Sequence, residues 1–89
     1  MKFREKYFEA TKTEARRKII LELDRPKTPQ ELATKLNYEK LPAVSKLLID
    51  LSKIGVAVCL TPKRRRDRHY YLTEDGIKIR KILLGEEEF

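Results

Sequence analysis

The chain of 89 residues predicts an α+β fold that is mainly helical. Three observations predict it. Apolar residues recur every three or four positions in successive segments, and a helix start or stop signal bounds each segment. Two short β-branched or aromatic segments, Val56–Leu60 and His69–Leu72, enclose a polar stretch and read as a hairpin. The length suits one domain, because a chain of this size buries only ~60–65% of the surface its unfolded form exposes. A single thin core must therefore serve every element.

Residues 2–10 form a short helix with Phe3, Tyr7 and Ala10 or Phe8 on one side, interrupted or capped at Thr11 or Thr13. A second helix, Glu14–Leu23, carries Ala15, Ile19, Ile20 and Leu23 at helical spacing. Arg25-Pro26-Lys27 ends it, since proline lacks the N–H a helix needs and restrains its predecessor. Thr28-Pro29-Gln30-Glu31 is the clearest start signal: a cap hydroxyl, proline at the first helical position and Glu at the third. It opens a helix over Pro29–Leu36 with Leu32, Ala33 and Leu36 on one face, and Asn37-Tyr38-Glu39-Lys40 makes the following turn. The next helix runs over about 41–54. Leu41, Val44, Leu48 and Leu51 are its expected buried stripe, Pro42 fits its first turn, and Gly55 ends it in a left-handed conformation. After the hairpin, Thr73-Glu74-Asp75 caps a last helix, with acids in its first turn and Lys78, Arg80 and Lys81 later, as the helix dipole favours. Ile77, Ile79, Ile82, Leu83 and Leu84 are too many for one narrow stripe, and the tail from Gly85 is expected to fray. The chain reads as one domain over 1–89, with 1–12 as an N-terminal extension and 85–89 as an acidic tail.

The net charge of +7 is unevenly spread. Residues 1–18 carry +4, residues 19–60 only +1, residues 61–72 again +4, and residues 73–89 carry −2. Lys63, Arg64, Arg65, Arg66 and Arg68 stand against one acid, Asp67. Such a run repels itself unless it is spread along a solvated loop and met by anions, so a basic hairpin tip points to nucleic-acid phosphates. Lys12, Arg16, Arg17 and Lys18 are candidates to extend the basic surface. The single cysteine, Cys59, excludes an internal disulfide and a Cys-rich zinc site, and Cys59 with His69 supplies too few ligands for zinc. Cys59 is expected as a small buried apolar residue. No cofactor or metal is implied. With one histidine and no paired acids or nucleophile motif in a convincing setting, no enzyme is indicated. No apolar run approaches the ~20 residues that span a bilayer, and the N-terminus has no signal-peptide core, so a soluble, cytoplasmic protein is expected. One Asn and one Gln among many Lys, Glu and Arg lean towards a heat-adapted source.

Helix, capped short helix, turn, longer helix, Gly, strand, basic loop, strand, helix is an order with a known counterpart. The residues that carry it are Thr28–Leu36, then Val44–Val56, then Tyr70-Tyr-Leu-Thr-Glu-Asp-Gly76. Together they resemble the winged helix-turn-helix unit of MarR- and ArsR-type transcription regulators and of small archaeal regulators built on the same unit. The resemblance covers about residues 13–84. The step from Leu36 to Val44 is eight residues where the usual pattern has seven. The resemblance implies a winged helix-turn-helix with a two-stranded β-hairpin wing and flanking N- and C-terminal helices. It implies sequence-preferring binding of double-stranded DNA, with helix 41–54 in the major groove and the basic wing 61–69 on the backbone or in the minor groove. It also implies a homodimer made by terminal helices, here through Phe3, Tyr7, Phe8, Ile79, Ile82 and Leu83.

On that reading the exposed side of the recognition helix offers Lys40, Pro42, Ala43, Ser45, Lys46, Ile49, Asp50 and Lys53. Lys46 suits guanine or a phosphate, Ser45 either of them, and Pro42, Ala43 and Ile49 suit thymine methyls; Asp50 would repel phosphate. The face has no Arg, Asn or Gln for bidentate base contacts, so it is a weak base reader. Thr28 and Gln30 are candidates to hold a phosphate at a helix start, Thr28 equally a plain cap. A protein-interaction module, suited by the acidic tail and by Leu47 and Ile49 taken as exposed, and an RNA-binding module are the alternatives.

Overall fold

The computed structural model describes residues 1–37 and 41–89. Along the chain come α1 (Phe3–Ala10), α2 (Glu14–Glu22), α3 (Pro29–Leu36), α4 (Leu41–Ile54), β1 (Ala57–Cys59), β2 (Tyr70–Leu72) and α5 (Glu74–Leu83). Of the turn expected over Asn37–Lys40, residues 38–40, Lys40 included, lie outside the described residues. The strands are shorter than the apolar segments that announce them, and they pair antiparallel as Ala57↔Leu72, Val58↔Tyr71 and Cys59↔Tyr70. A third partner was not legible in the sequence: Lys27 and Tyr70 exchange backbone hydrogen bonds of 3.0 and 2.8 Å on the other edge of β2.

The core is assembled from the helical stripes. Ile19, Ile20, Leu23, Leu32, Val44, Leu48, Leu51, Val56 and Ile79 have no exposed surface. Leu41, expected in this stripe, is instead 41% exposed. At ~100° per residue it stands roughly 60° away from Val44, on the side of Ser45 and Ile49, and so leaves the core. Leu47 errs in the other direction: it is half-buried and packs on the core.

Four elements meet at the base of the hairpin. Helix α4 ends in a Schellman turn, with the Val56 N–H on the Leu51 carbonyl at 3.0 Å and the Gly55 N–H on the Ser52 carbonyl at 3.1 Å. This turn requires φ of 94° at Gly55, which side chains resist. Thr73 then serves both helices. Its hydroxyl donates to the Gly55 carbonyl at 2.7 Å and accepts the Gly76 N–H of α5 at 3.2 Å, while its own N–H donates to the Val56 carbonyl at 3.1 Å. Helix α5 comes so near β1 that a Cβ on Gly76 would overlap the Val56 carbonyl oxygen. Only hydrogen fits there.

Helix α1 packs on α4, with Phe3 and Tyr7 on the core and Lys6 2.8 Å from Asp75 of α5. The C-terminal tail is not frayed. It turns at Gly85, with the Glu86 N–H on the Lys81 carbonyl at 2.8 Å, and brings the Phe89 ring to 4.4 Å from Tyr7 and 5.7 Å from Phe8. Among the described residues no helix is long and apolar enough to cross a membrane.

Thr73→Val keeps the shape and removes the hydroxyl, leaving the Gly55 carbonyl and the Gly76 N–H unpaired. Urea denaturation is expected to record a loss of about 1–3 kcal/mol. A loss under ~0.5 kcal/mol, the range of a neutral surface change, would show that the corner does not depend on this side chain.

Candidate nucleic-acid interface

One open groove of about 500 Å³ gathers residues that are far apart in sequence. Thr28, Pro29 and Gln30 of the α3 start form one end, and Leu41, Ser45 and Ile49 of α4 form a wall. Arg65, Arg66, Asp67 and Arg68 of the hairpin loop, with Tyr70, form the facing wall. Leu41, Ser45 and Ile49 follow each other at intervals of four, so the wall is a single stripe along the helix.

The loop is folded rather than splayed. The Arg64 N–H donates to the Thr61 carbonyl at 3.1 Å, and the His69 N–H to the Thr61 hydroxyl at 3.0 Å. Asp67 takes the left-handed conformation, φ 53°, and its carbonyl lies 3.0 Å from Nδ1 of His69, a hydrogen bond if that nitrogen carries the proton. Arg68 donates to the carbonyls of Arg64 and Pro62. It therefore holds the loop together, and its guanidinium is only partly available to an outside anion. Lys63, Arg64, Arg65 and Arg66 differ: all are exposed, and none forms an ion pair among the described residues.

The start of α3 is less suited to phosphate than its sequence suggests. The Thr28 N–H donates to Glu31 Oε1 at 3.0 Å, and the Thr28 hydroxyl accepts the Glu31 N–H at 3.1 Å. Pro29 has no N–H. The Glu31 carboxylate is held below the usual range by the Thr28 amide, with the Thr28 hydroxyl and Arg25 adding to it. A resident negative charge and spent donors make Thr28 a buried cap, whereas Gln30 at this end of the groove is exposed.

The remaining recognition-helix candidates divide. Ser45 and Ile49 line the groove, while Pro42, Ala43, Lys46 and Lys53 are exposed on α4 outside its lining. Asp50 lies 4.0 Å from Arg16 of α2 and 3.7 Å from Lys46, so its charge is engaged away from the groove. The N-terminal cations are also engaged. Arg16 donates to the Glu9 carbonyl and Arg17 to the Thr11 carbonyl, both at 2.6 Å, which satisfies backbone left open where α1 ends. Lys18 pairs with Glu14 at 3.3 Å, and Lys12 is exposed.

Among the residues expected at a dimer interface, Ile79 has no exposed surface because it fills the core of the single chain, so it cannot face a partner. Leu83, Phe3 and Tyr7 are partly buried against the core, Ile82 is half-buried, and Phe8 is 56% exposed. Cys59 is half-buried rather than buried and stands opposite Tyr70 instead of His69.

The sequence missed Leu41, Pro29 and Tyr70 as groove residues. The signal for Leu41 was its spacing of four and eight from Ser45 and Ile49, hidden by its equally good spacing to Leu48.

This arrangement matches a solved structure, that of a MarR family transcription regulator, with a TM-score of 0.73 at 23% sequence identity. The match covers 94% of this chain and 57% of that one, so the chain spans a little over half the regulator's length. The likeness establishes the winged helix-turn-helix fold: α3 and α4 are the two motif helices and the β1–β2 hairpin is the wing. No family model matches the sequence, and no curated protein matches it.

Proposed function

We propose that the chain binds double-stranded DNA as a transcription regulator, with α4 in the major groove and the wing on the backbone or in the adjacent minor groove. One observation carries this reading. The groove brings the exposed stripe of α4 together with the guanidiniums of Arg65 and Arg66, which form no ion pair among the described residues, and a duplex supplies base edges to the first and phosphates to the second. Arg64, Arg65 and Arg66 hold phosphate oxygens with planar donor forks, Lys63 adds a point charge, and Arg68 chiefly shapes the loop. Lys46 and Lys53 on the outer side of α4, together with Gln30, add positioning contacts. The similar fold of a transcription regulator supports the reading in general terms.

Affinity in this account comes mostly from phosphates, so it falls steeply with salt, by a slope of about 0.9 per phosphate neutralised. Arg64→Ala combined with Arg66→Ala is expected to reduce the slope of log K against log salt by about two, measured by fluorescence anisotropy with duplex DNA. An unchanged slope would remove both residues from the backbone contacts.

The chain is also proposed to act as a homodimer, which places two grooves on half-sites ~10 base pairs apart or a multiple of that. The surface for it includes Phe8 and Phe89, each 56% exposed, whose rings lie 5.7 Å apart. Sedimentation at micromolar concentration is expected to give twice the chain mass of 10.6 kDa, and a single 10.6-kDa species would exclude the dimer.

A further inference from the structure

We infer that the groove selects A·T-rich duplex by seating thymine methyl groups on Leu41 and Ile49, an inference that rests on the duplex-binding reading above. These two side chains are 41% and 46% exposed, and both line the groove. They belong to one stripe, with only the Ser45 hydroxyl between them to make a hydrogen bond. On the major-groove edge of the four base pairs, the thymine C5-methyl is the one apolar group; guanine presents acceptors, and cytosine and adenine present a donor amine. A leucine or isoleucine against guanine or cytosine leaves those polar groups unpaired. Against thymine it buries a methyl.

The geometry limits where the methyls lie. Eight residues of helix separate Leu41 from Ile49, a rise of about 12 Å at ~1.5 Å per residue. With ~3.4 Å per base step, the two thymines stand roughly three to four base pairs apart. The facing wall favours the same class of DNA for a different reason. Arg65 and Arg66 reach from the loop, and arginine is drawn to the narrow, strongly negative minor groove of A·T tracts. Those guanidiniums also make the stripe a poor seat for an apolar protein segment, which would leave their charge unmatched.

The test uses three duplexes of equal length: A·T pairs only, the same duplex with deoxyuridine replacing every thymine, and G·C pairs only. The chain is expected to bind the thymine duplex roughly tenfold more tightly than the uracil duplex at equal salt, about threefold to fourfold for each methyl lost, and the G·C duplex most weakly. The variant Leu41→Ala/Ile49→Ala is expected to bind the thymine and uracil duplexes alike with an unchanged salt slope. Both positions are exposed, and an unchanged thermal melt verifies the fold. Equal binding of thymine and uracil duplexes by the unmodified chain overturns the inference and leaves duplex binding intact. Discrimination that survives in the variant overturns it too, assigning the preference to DNA shape. No binding to any duplex at low salt removes the duplex-binding reading itself.

Discussion

The Thr73 hydroxyl sits where the end of α4, the hairpin and the start of α5 are joined, and the groove depends on that joint. It donates to the Gly55 carbonyl at the end of α4 and accepts an N–H at the start of α5. Beside it, Gly76 lets α5 lie against the Val56 carbonyl. The hairpin thus leaves α4 in a fixed direction, and its loop comes back beside the Leu41–Ile49 stripe. Lys27 holds the opposite edge. Its backbone pairs with Tyr70, and its ammonium reaches the Glu22 carbonyl at 2.7 Å, the Glu22 carboxylate at 3.2 Å and Asp24 at 3.0 Å. The hydrogen bond from Lys27 holds the Asp24 carboxyl below its usual range. A cation near the end of α2 also suits the helix dipole. Tied at both edges, the wing is placed by the same contacts that close the fold.

Charge divides according to what it touches. The two basic lobes have equal formal charge, yet the N-terminal one is largely consumed by the protein: Arg16 and Arg17 bind carbonyls, Lys6 binds Asp75, and Lys18 binds Glu14. Among the described residues, Lys63 to Arg66 have no such partners. With only Asp67 beside them in the loop, repulsion among these four is relieved by solvent or by an outside polyanion. Net charge alone therefore overstates the binding surface, and its location is what matters.

Local chemistry made most of the fold legible in the sequence. The Thr28–Glu31 capping box, the left-handed Gly55 and the Thr73 cap are each written within a few residues, and all three stand where expected. Features that depend on distant neighbours were not legible. Periodicity put Leu41 on the core side because it counts spacing, whereas the structure leaves that side chain 41% exposed. Lys27 pairs across a single residue, too short for any strand pattern. Phe89 packs on α1 from the other end of the chain. Of the groove lining, the sequence named Thr28, Gln30, Ser45, Ile49, Arg65, Arg66 and Arg68, while the engagement of Thr28, Arg16 and Arg17 by backbone partners was invisible to a count of charges.

On the proposed reading, α4 and the wing form one surface that receives a duplex as a unit. Titrating the isotopically labelled chain with an A·T-rich duplex and following its amide resonances tests this most directly. Residues 41–49, the loop 61–69 and Gln30 are expected to shift together at one common midpoint, with α1 and α5 unmoved except where a dimer forms. Shifts confined to the loop, or centred on α1 and the tail with α4 unaffected, would contradict it.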